Sequence, residues 1–254
     1  MTLSRLGIKT SFLGSISDDT WGIEIVKGLR EEDVDASFLK ITPGYTSQFA
    51  FIAITEGGGN RTIFWHRGSV PHLRAGDVDL SHFSGAKILH VDGLMIEAAQ
   101  EAARQARRMG LRVVCDAGTM REGSLELASL VDVLIASERF PDPLLGEDVP
   151  PAEILETLRQ LGPKEVIITR GLKGSMGFSD GEIISQEAFT VDARDTTGAG
   201  DVYHGAYIYG LLQNWDMREC MRFASATAAL KCRETGGRKG IPCLEEVRQF
   251  LGRI

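Results

Sequence analysis

The sequence predicts an α/β fold, a mostly parallel sheet covered by helices on both faces, with a small β-rich lid. Three observations carry this expectation. From about residue 87 onward, short apolar runs alternate with longer amphipathic ones. The short runs are apolar on both faces, as strands enclosed between two helical layers must be. One early stretch breaks the rhythm, because two strand-like runs follow each other there with no helix between them.

The strands are expected at residues 88–91, 112–115, 131–136 and 166–169, and their partner helices at 96–109, 125–130 and 152–161. In residues 96–109, Ile96, Ala99, Ala103, Ala106 and Met109 recur every three or four positions with Arg104, Arg107 and Arg108 between them. That period marks a half-buried helix. Three further helices are expected at 199–212, 217–232 and 244–251. Residues 47–54 and 61–65 are joined by Thr55-Glu56-Gly57-Gly58-Gly59-Asn60, a hairpin signal. Residues 34–70 therefore read as a lid or dimerisation flap inserted in a body made of residues 1–33 and 71–254, the alternative being an antiparallel edge of the main sheet.

A chain of 254 residues has room for a sizeable core. Its 28 Lys and Arg against 35 Asp and Glu leave a net charge of −7, which works against polyanions, so nucleic acid is not an expected partner. Cys115, Cys220, Cys232 and Cys243 are unevenly spaced with no Cys-x-x-Cys pair, which fits reduced thiols in a cytoplasm rather than a zinc site or a disulfide framework. No apolar run approaches the roughly 18 to 20 residues of a membrane span, and the first residues lack an apolar signal-peptide core. His66, His72, His82, His90 and His204 show neither a metal spacing nor a nucleophile partner and read as structural or surface residues.

The segment with chemical content is Asp195-Thr196-Thr197-Gly198-Ala199-Gly200-Asp201, which leads straight into the helix expected at 199–212. Small residues before a helix let backbone N–H groups approach an anion, and the helix dipole adds to the attraction. An acid in the first turn, Asp201, would then stand beside a phosphate, able to take a proton from an attacking hydroxyl. Alone, Gly198-Ala199-Gly200-Asp201 reads more readily as a tight turn with a favourable first-turn acid. It is neither a Walker A loop nor a dinucleotide fingerprint, since Tyr203 stands where the latter needs glycine.

The whole run, followed by Gly205-Ala206, resembles the C-terminal signature of the ribokinase-like (PfkB) carbohydrate kinases. Residues 166–177, with Thr169-Arg170-Gly171-Leu172-Lys173-Gly174, look like that family's strand and nucleotide-site glycines. A third match is Leu6 to Gly14 followed by Asp18-Asp19-Thr20-Trp21-Gly22, similar to the family's early strand and helix. Within the family, Gly59-Asn60-Arg61-Thr62-Ile63-Phe64 and Ile88-Leu89-His90-Val91-Asp92-Gly93 look nearest to ketohexokinase-like members.

The resemblance implies ATP-dependent phosphorylation of a sugar hydroxyl, a ketose being the first candidate, with Asp201 as catalytic base. Gly198, Ala199 and Gly200 would form the anion hole. Thr169, Gly171, Gly174 and Ser225 match nucleotide-site positions, and ATP with Mg²⁺ is the implied nucleotide complex. Asp195, Thr197, Gly236 and Gly240 match positions that in many members hold a monovalent cation such as K⁺, although Asp195 reads equally as a turn residue. Asp92, at a strand end, and Arg67, in the lid, are candidates for the substrate side. A homodimer through the lid is implied. Other readings are a kinase of a nucleoside or sugar phosphate, or a non-catalytic nucleotide- or sugar-binding protein.

Two departures from the family pattern stand out. Ser137 and Phe140 occupy the places of an Asn-x-x-Glu motif that helps organise Mg²⁺, with Glu138 the nearest acid. The family's usual first strand, sugar-binding Asp and Gly-Gly-x-x-x-Asn segment are expected ahead of Arg5 and have no counterpart in the sequence.

Overall fold

The structure is a computed structural model that describes residues 1–54 and 61–252. The joining run at 55–60 lies outside the described residues. In chain order the elements are α1 (Thr2–Arg5), β1 (Thr10–Ser11), β2 (Gly14–Ile16), α2 (Thr20–Glu31), β3 (Val34–Asp35), β4 (Leu39–Ile41), β5 (Phe49–Ile54), β6 (Arg61–His66), β7 (Ile88–Asp92), α3 (Ile96–Arg108), β8 (Arg112–Ala117), α4 (Ser124–Ser129) and β9 (Val133–Ser137). They continue with α5 (Asp142–Leu145), α6 (Pro151–Arg159), β10 (Glu165–Thr169), β11 (Ser175–Ser179), β12 (Glu182–Gln186), α7 (Ala199–Leu212), α8 (Met217–Lys231) and α9 (Leu244–Leu251). The chain divides into two compact units. One holds Met1–His72, Thr190–Tyr209 and Ala226–Ile254, and the other holds Leu73–Phe189 and Gly210–Ser225.

The second unit is built on a six-stranded sheet in the order β12-β11-β10-β9-β8-β7. Strands β7 to β10 run parallel, β11 runs antiparallel to β10, and β12 runs antiparallel to β11. The inner strands are apolar on both faces because both faces are covered. Val113, Val114, Val133, Leu134, Ile135, Val166, Ile167 and Ile168 are all buried. Each such side chain contributes about 1.5–3 kcal/mol of transfer free energy. Helix α3 lies against β7 and β8, and α6 against β10 and β11. Ala99, Ala103 and Ala106 face inward as the period implies, but Met109 is the exposed residue that closes α3. Gly177 on β11 lets the first turns of α8 approach closely, since a Cβ there would stand 2.6 Å from Met217 Sδ and 3.0 Å from Met221 Sδ.

The strand expected at 131–136 begins two residues later, after the Asp132 side chain has accepted the Val113 amide. The antiparallel pair β11–β12 was not anticipated. A local signal for it exists, because Asp180-Gly181, both at positive φ (+50° and +88°), form the two-residue turn that joins Ser179 to Glu182.

In the first unit, β1 pairs with β3 and β2 with β4, both parallel, and β5 forms an antiparallel hairpin with β6. Helix α2 is started by Asp19, whose Oδ1 accepts from Gly22 N at 2.9 Å and whose Oδ2 accepts from Ser47 N at 2.9 Å. Arg5 grips Glu32 by two bonds, 2.6 Å from Nε to Oε2 and 2.5 Å from Nη2 to Oε1, and donates to the Ile241 carbonyl at 2.6 Å. The guanidinium of Arg5, outweighing the cost of burial, holds the Glu32 carboxyl below its ordinary value of 4.5. A depressed carboxyl stabilises the fold above its unfolded pKa and loses that contribution as pH falls through the folded value. Glu32→Gln is therefore expected to cost about 1 kcal/mol at neutral pH and much less at pH 3, read from denaturant midpoints at the two pH values.

Candidate active site

The loop that carries the signature belongs to the first unit and is built around Asp195, which is 0% exposed. Asp195 Oδ1 accepts from Thr197 N at 2.8 Å and Oδ2 from Gly236 N at 2.7 Å. The Arg194 and Asp195 amides both donate to the Cys232 carbonyl, at 2.8 and 3.1 Å. Burial pushes the Asp195 carboxyl up, but the bonds from Thr197 and Gly236 and the charge of Lys231 outweigh it, so the group sits below its ordinary value. Thr197 Oγ1 is buried and contributes to that lowering without reaching hydrogen-bond geometry itself. Asp195 is thus the clip that joins the incoming loop to the segment after α8.

Beyond the clip the chain turns at Gly198, with φ +76°, in the left-handed region that favours glycine. A Cβ there would lie 3.0 Å from the Gly237 carbonyl. Helix α7 then begins at Ala199, so the amides of its first turn have no partner within the helix. The Ala199 amide is already engaged, closing a turn on the Thr196 carbonyl at 3.1 Å. His204 Nδ1 donates to the Gly200 carbonyl at 2.7 Å, which holds the turn from inside. This gives the histidine a structural task. Asp201 lies on the exposed side of this turn, one residue beyond Gly200.

The nucleotide-site residues read from the sequence lie in the second unit. Thr169 ends β10, with Oγ1 donating to the Ala136 carbonyl at 3.4 Å. A single 3-10 turn, Gly171–Lys173, follows, and Gly171 (φ +55°) and Gly174 (φ +80°) both take backbone that disfavours side chains. Gly174 sits against the end of β12, where a Cβ would meet the Gln186 carbonyl at 2.0 Å. Ser225, also in this unit, is buried on α8.

Ser137, at the end of β9, donates from Oγ to the Gly118 carbonyl at 2.9 Å. Phe140, at the Glu place of the missing motif, is 2% exposed and serves the core. Glu138 forms an ion pair with Arg170, Oε2 to Nε, at 3.7 Å. Asp92 caps a local turn, accepting from Leu94 N at 2.9 Å, and Arg67 is exposed beside the hairpin.

Lys231 is the residue the sequence reading missed. It is 0% exposed at the end of α8, and its Nζ donates to the Asp195 carbonyl at 2.8 Å. Nothing in the pattern of α8 separates it from a solvated lysine at a helix end. Its burial arises from the loops folded over it. Each carboxylate oxygen of Asp195 already accepts a backbone amide and the Lys231 ammonium stands on its carbonyl, so a positive charge is in place where the resemblance put a monovalent cation.

Residues 1–243 match the pfkB family carbohydrate kinase model. A 5-dehydro-2-deoxygluconokinase of Clostridium perfringens is 28% identical over 271 residues, covering 98% of this chain and 80% of the relative. The ribokinase of Haemophilus influenzae is 28% identical over 258 residues, covering 98% of this chain and 83% of the relative. Among solved structures, an Escherichia coli protein described as a ribokinase II, in complex with ATP and Mg²⁺, superposes with a TM-score of 0.87 at 23% identity over 100% of this chain and 86% of its own. That structural likeness bears out the ribokinase-like α/β fold. A signature loop that ends in an acid at a helix start, a glycine-lined turn after a central strand, and a match over nearly the whole length leave one conclusion: the chain belongs to the pfkB family of carbohydrate kinases, phosphotransferases that act on an alcohol group.

Proposed function

We propose that Asp201 is the general base that removes the proton from a sugar hydroxyl as that hydroxyl attacks the γ-phosphate of ATP. The observation that carries this reading is the placement of Asp201 in the first turn of α7, directly after a loop clipped by Asp195 and turned at Gly198. Phosphoryl transfer needs positioning and charge stabilisation more than covalent chemistry. The amides of Gly198 and Gly200 supply fixed dipoles toward the transferred group, with Ala199 a shared donor because of its bond to Thr196. Thr169, Gly171, Gly174 and Ser225 bind the nucleotide. Asp92 and Arg67 serve the acceptor side.

Among the described residues, no group of three or more His, Cys, Asp or Glu side chains is disposed to hold a metal. Mg²⁺ would enter with the nucleotide, whose phosphates supply ligands to it. When bound, that ion offsets charge on the transferring phosphoryl group.

The acceptor is a small sugar or sugar acid, a ketose or keto-acid first. A coupled ADP-release assay over ribose, fructose, 5-dehydro-2-deoxygluconate and 2-dehydro-3-deoxygluconate tests this. Turnover with at least one of them that disappears in Asp201→Asn is the expected result. Intact ATP binding without turnover on any sugar or nucleoside would instead make the chain a binding protein, a reading favoured by the loss of Glu at Phe140.

Residues 34–70 act as a lid, and the hairpin β5–β6 within it joins two copies of the chain. The support is physical. A lone two-stranded hairpin is marginal in water, yet this one leaves Phe51, Ile63, Phe64 and Trp65 exposed, Phe51 by 65%. Phe51 and Phe64 are cross-strand partners with ring centroids 6.0 Å apart. Replacing both by Ser is expected to turn a dimer into a monomer in sedimentation, and a monomeric parent chain would end the proposal. Among the described residues, no helix is long and apolar enough to cross a membrane, and the free thiols Cys115, Cys220, Cys232 and Cys243 support a reducing cytoplasm.

A further inference from the structure

We propose that Lys231 is a built-in cation for the Asp195 clip, a positioning residue that lets this chain hold its signature loop without a bound monovalent ion. The proposal rests on the kinase reading for its catalytic consequence but not for its structural one. An ammonium withdrawn wholly from water costs several kcal/mol unless it is paired and hydrogen-bonded. Lys231 meets those conditions in three ways. Its Nζ donates to the Asp195 carbonyl at 2.8 Å. The fully buried Asp195 carboxylate feels its charge. It also stands at the last residue of α8, where the helix dipole favours a cation.

The consequence reaches the catalytic loop through a short chain of bonds. Lys231 and the Cys232 carbonyl hold residues 194 and 195 to the end of α8. The Asp195 carboxylate then holds Thr197 N on one side and Gly236 N on the other. Gly198, Gly200 and Asp201 follow directly. Gly240 closes over the same helix end, so near that a Cβ would meet the Lys231 carbonyl at 2.5 Å.

Charge bookkeeping decides against a second cation. One carboxylate and one ammonium are neutral together, so a monovalent ion added beside them leaves one uncompensated positive charge among buried groups. Such a charge is expensive. In a chain without the ammonium, the same carboxylate would attract an ion.

The test compares the parent chain, Lys231→Met and Lys231→Ala in KCl, NH₄Cl and choline chloride at equal ionic strength, reading both thermal unfolding and ADP release. The parent should show the same Tm and, within about twofold, the same kcat in all three salts. Lys231→Ala should unfold at lower temperature and lose roughly ten- to a hundredfold in kcat with KM for ATP little changed, as misplacement of a catalytic loop does. K⁺ or NH₄⁺, but not choline, should restore part of both. Lys231→Met, which keeps the volume without the charge, should lose kcat likewise.

A parent chain whose Tm or kcat rises severalfold or by several degrees with K⁺ overturns the proposal, as does a Lys231→Met variant as active as the parent in choline. Should neither variant fold, the salt comparison on the parent chain alone decides. Should no sugar be turned over, the kinase reading fails, while the unfolding measurements still decide the role of Lys231.

Discussion

Asp201→Asn is expected to lower kcat by about 10³-fold, equivalent to roughly 4 kcal/mol of transition-state stabilisation. The amide keeps the shape of the side chain and the first turn of α7 but cannot accept the proton of the attacking hydroxyl. Affinity for ATP should change little, because the proposed nucleotide site is made of backbone and of Thr169, Gly171, Gly174 and Ser225. Single-turnover ADP formation together with ATP binding by calorimetry separates the two quantities. A variant that keeps more than a tenth of the parent kcat would show that the proton leaves by another route.

Gly174→Ala should be the most damaging small substitution at the nucleotide-site turn. The residue has φ +80°, and its Cβ would fall 2.0 Å from the Gln186 carbonyl and 2.8 Å from Ala188 N. These are backbone atoms, so β12 and the segment after it must shift. Strain and overpacking together make a loss of about 3 kcal/mol the expected cost. For a chain of this size that corresponds to roughly 6–12 °C in Tm. KM for ATP should rise as well. Gly171→Ala is the internal comparison. It shares the positive φ, at +55°, but has open space where its Cβ would go, so about 1 kcal/mol is expected there. Equal effects of the two substitutions, measured by thermal unfolding, would contradict this account.

Helices were the most legible part of the fold. The helices at 199–212 and 244–251 match α7 and α9 in both bounds, and 96–109 differs from α3 by one residue. Amphipathic spacing and flanking glycines are local signals, and they survive without knowledge of neighbours. The strands of the parallel core were equally readable, since burial on both faces writes a continuous apolar run. What local pattern does not encode is pairing. The hairpin of Ser175–Ser179 and Glu182–Gln186 is written locally in its Asp180-Gly181 turn, but its addition to the edge of β10 is not. The short parallel contacts of β1 with β3 and β2 with β4 depend in the same way on partners more than twenty residues distant.

The candidate site divides along the same line. The run from Asp195 to Asp201, with Thr169 to Gly174, was visible in the sequence because its proposed chemistry lies in residue type and order: small residues that let backbone approach a phosphate, and an acid able to take a proton. That much determined the fold class, the family and the base to be tested. Only the tertiary structure decided that Phe140 is core, that Glu138 is paired with Arg170, and that Lys231 is buried against Asp195. The physical reason is that burial and charge pairing belong to no single segment. A lysine at a helix end costs little in water and becomes a committed cation only when distant loops remove the water around it.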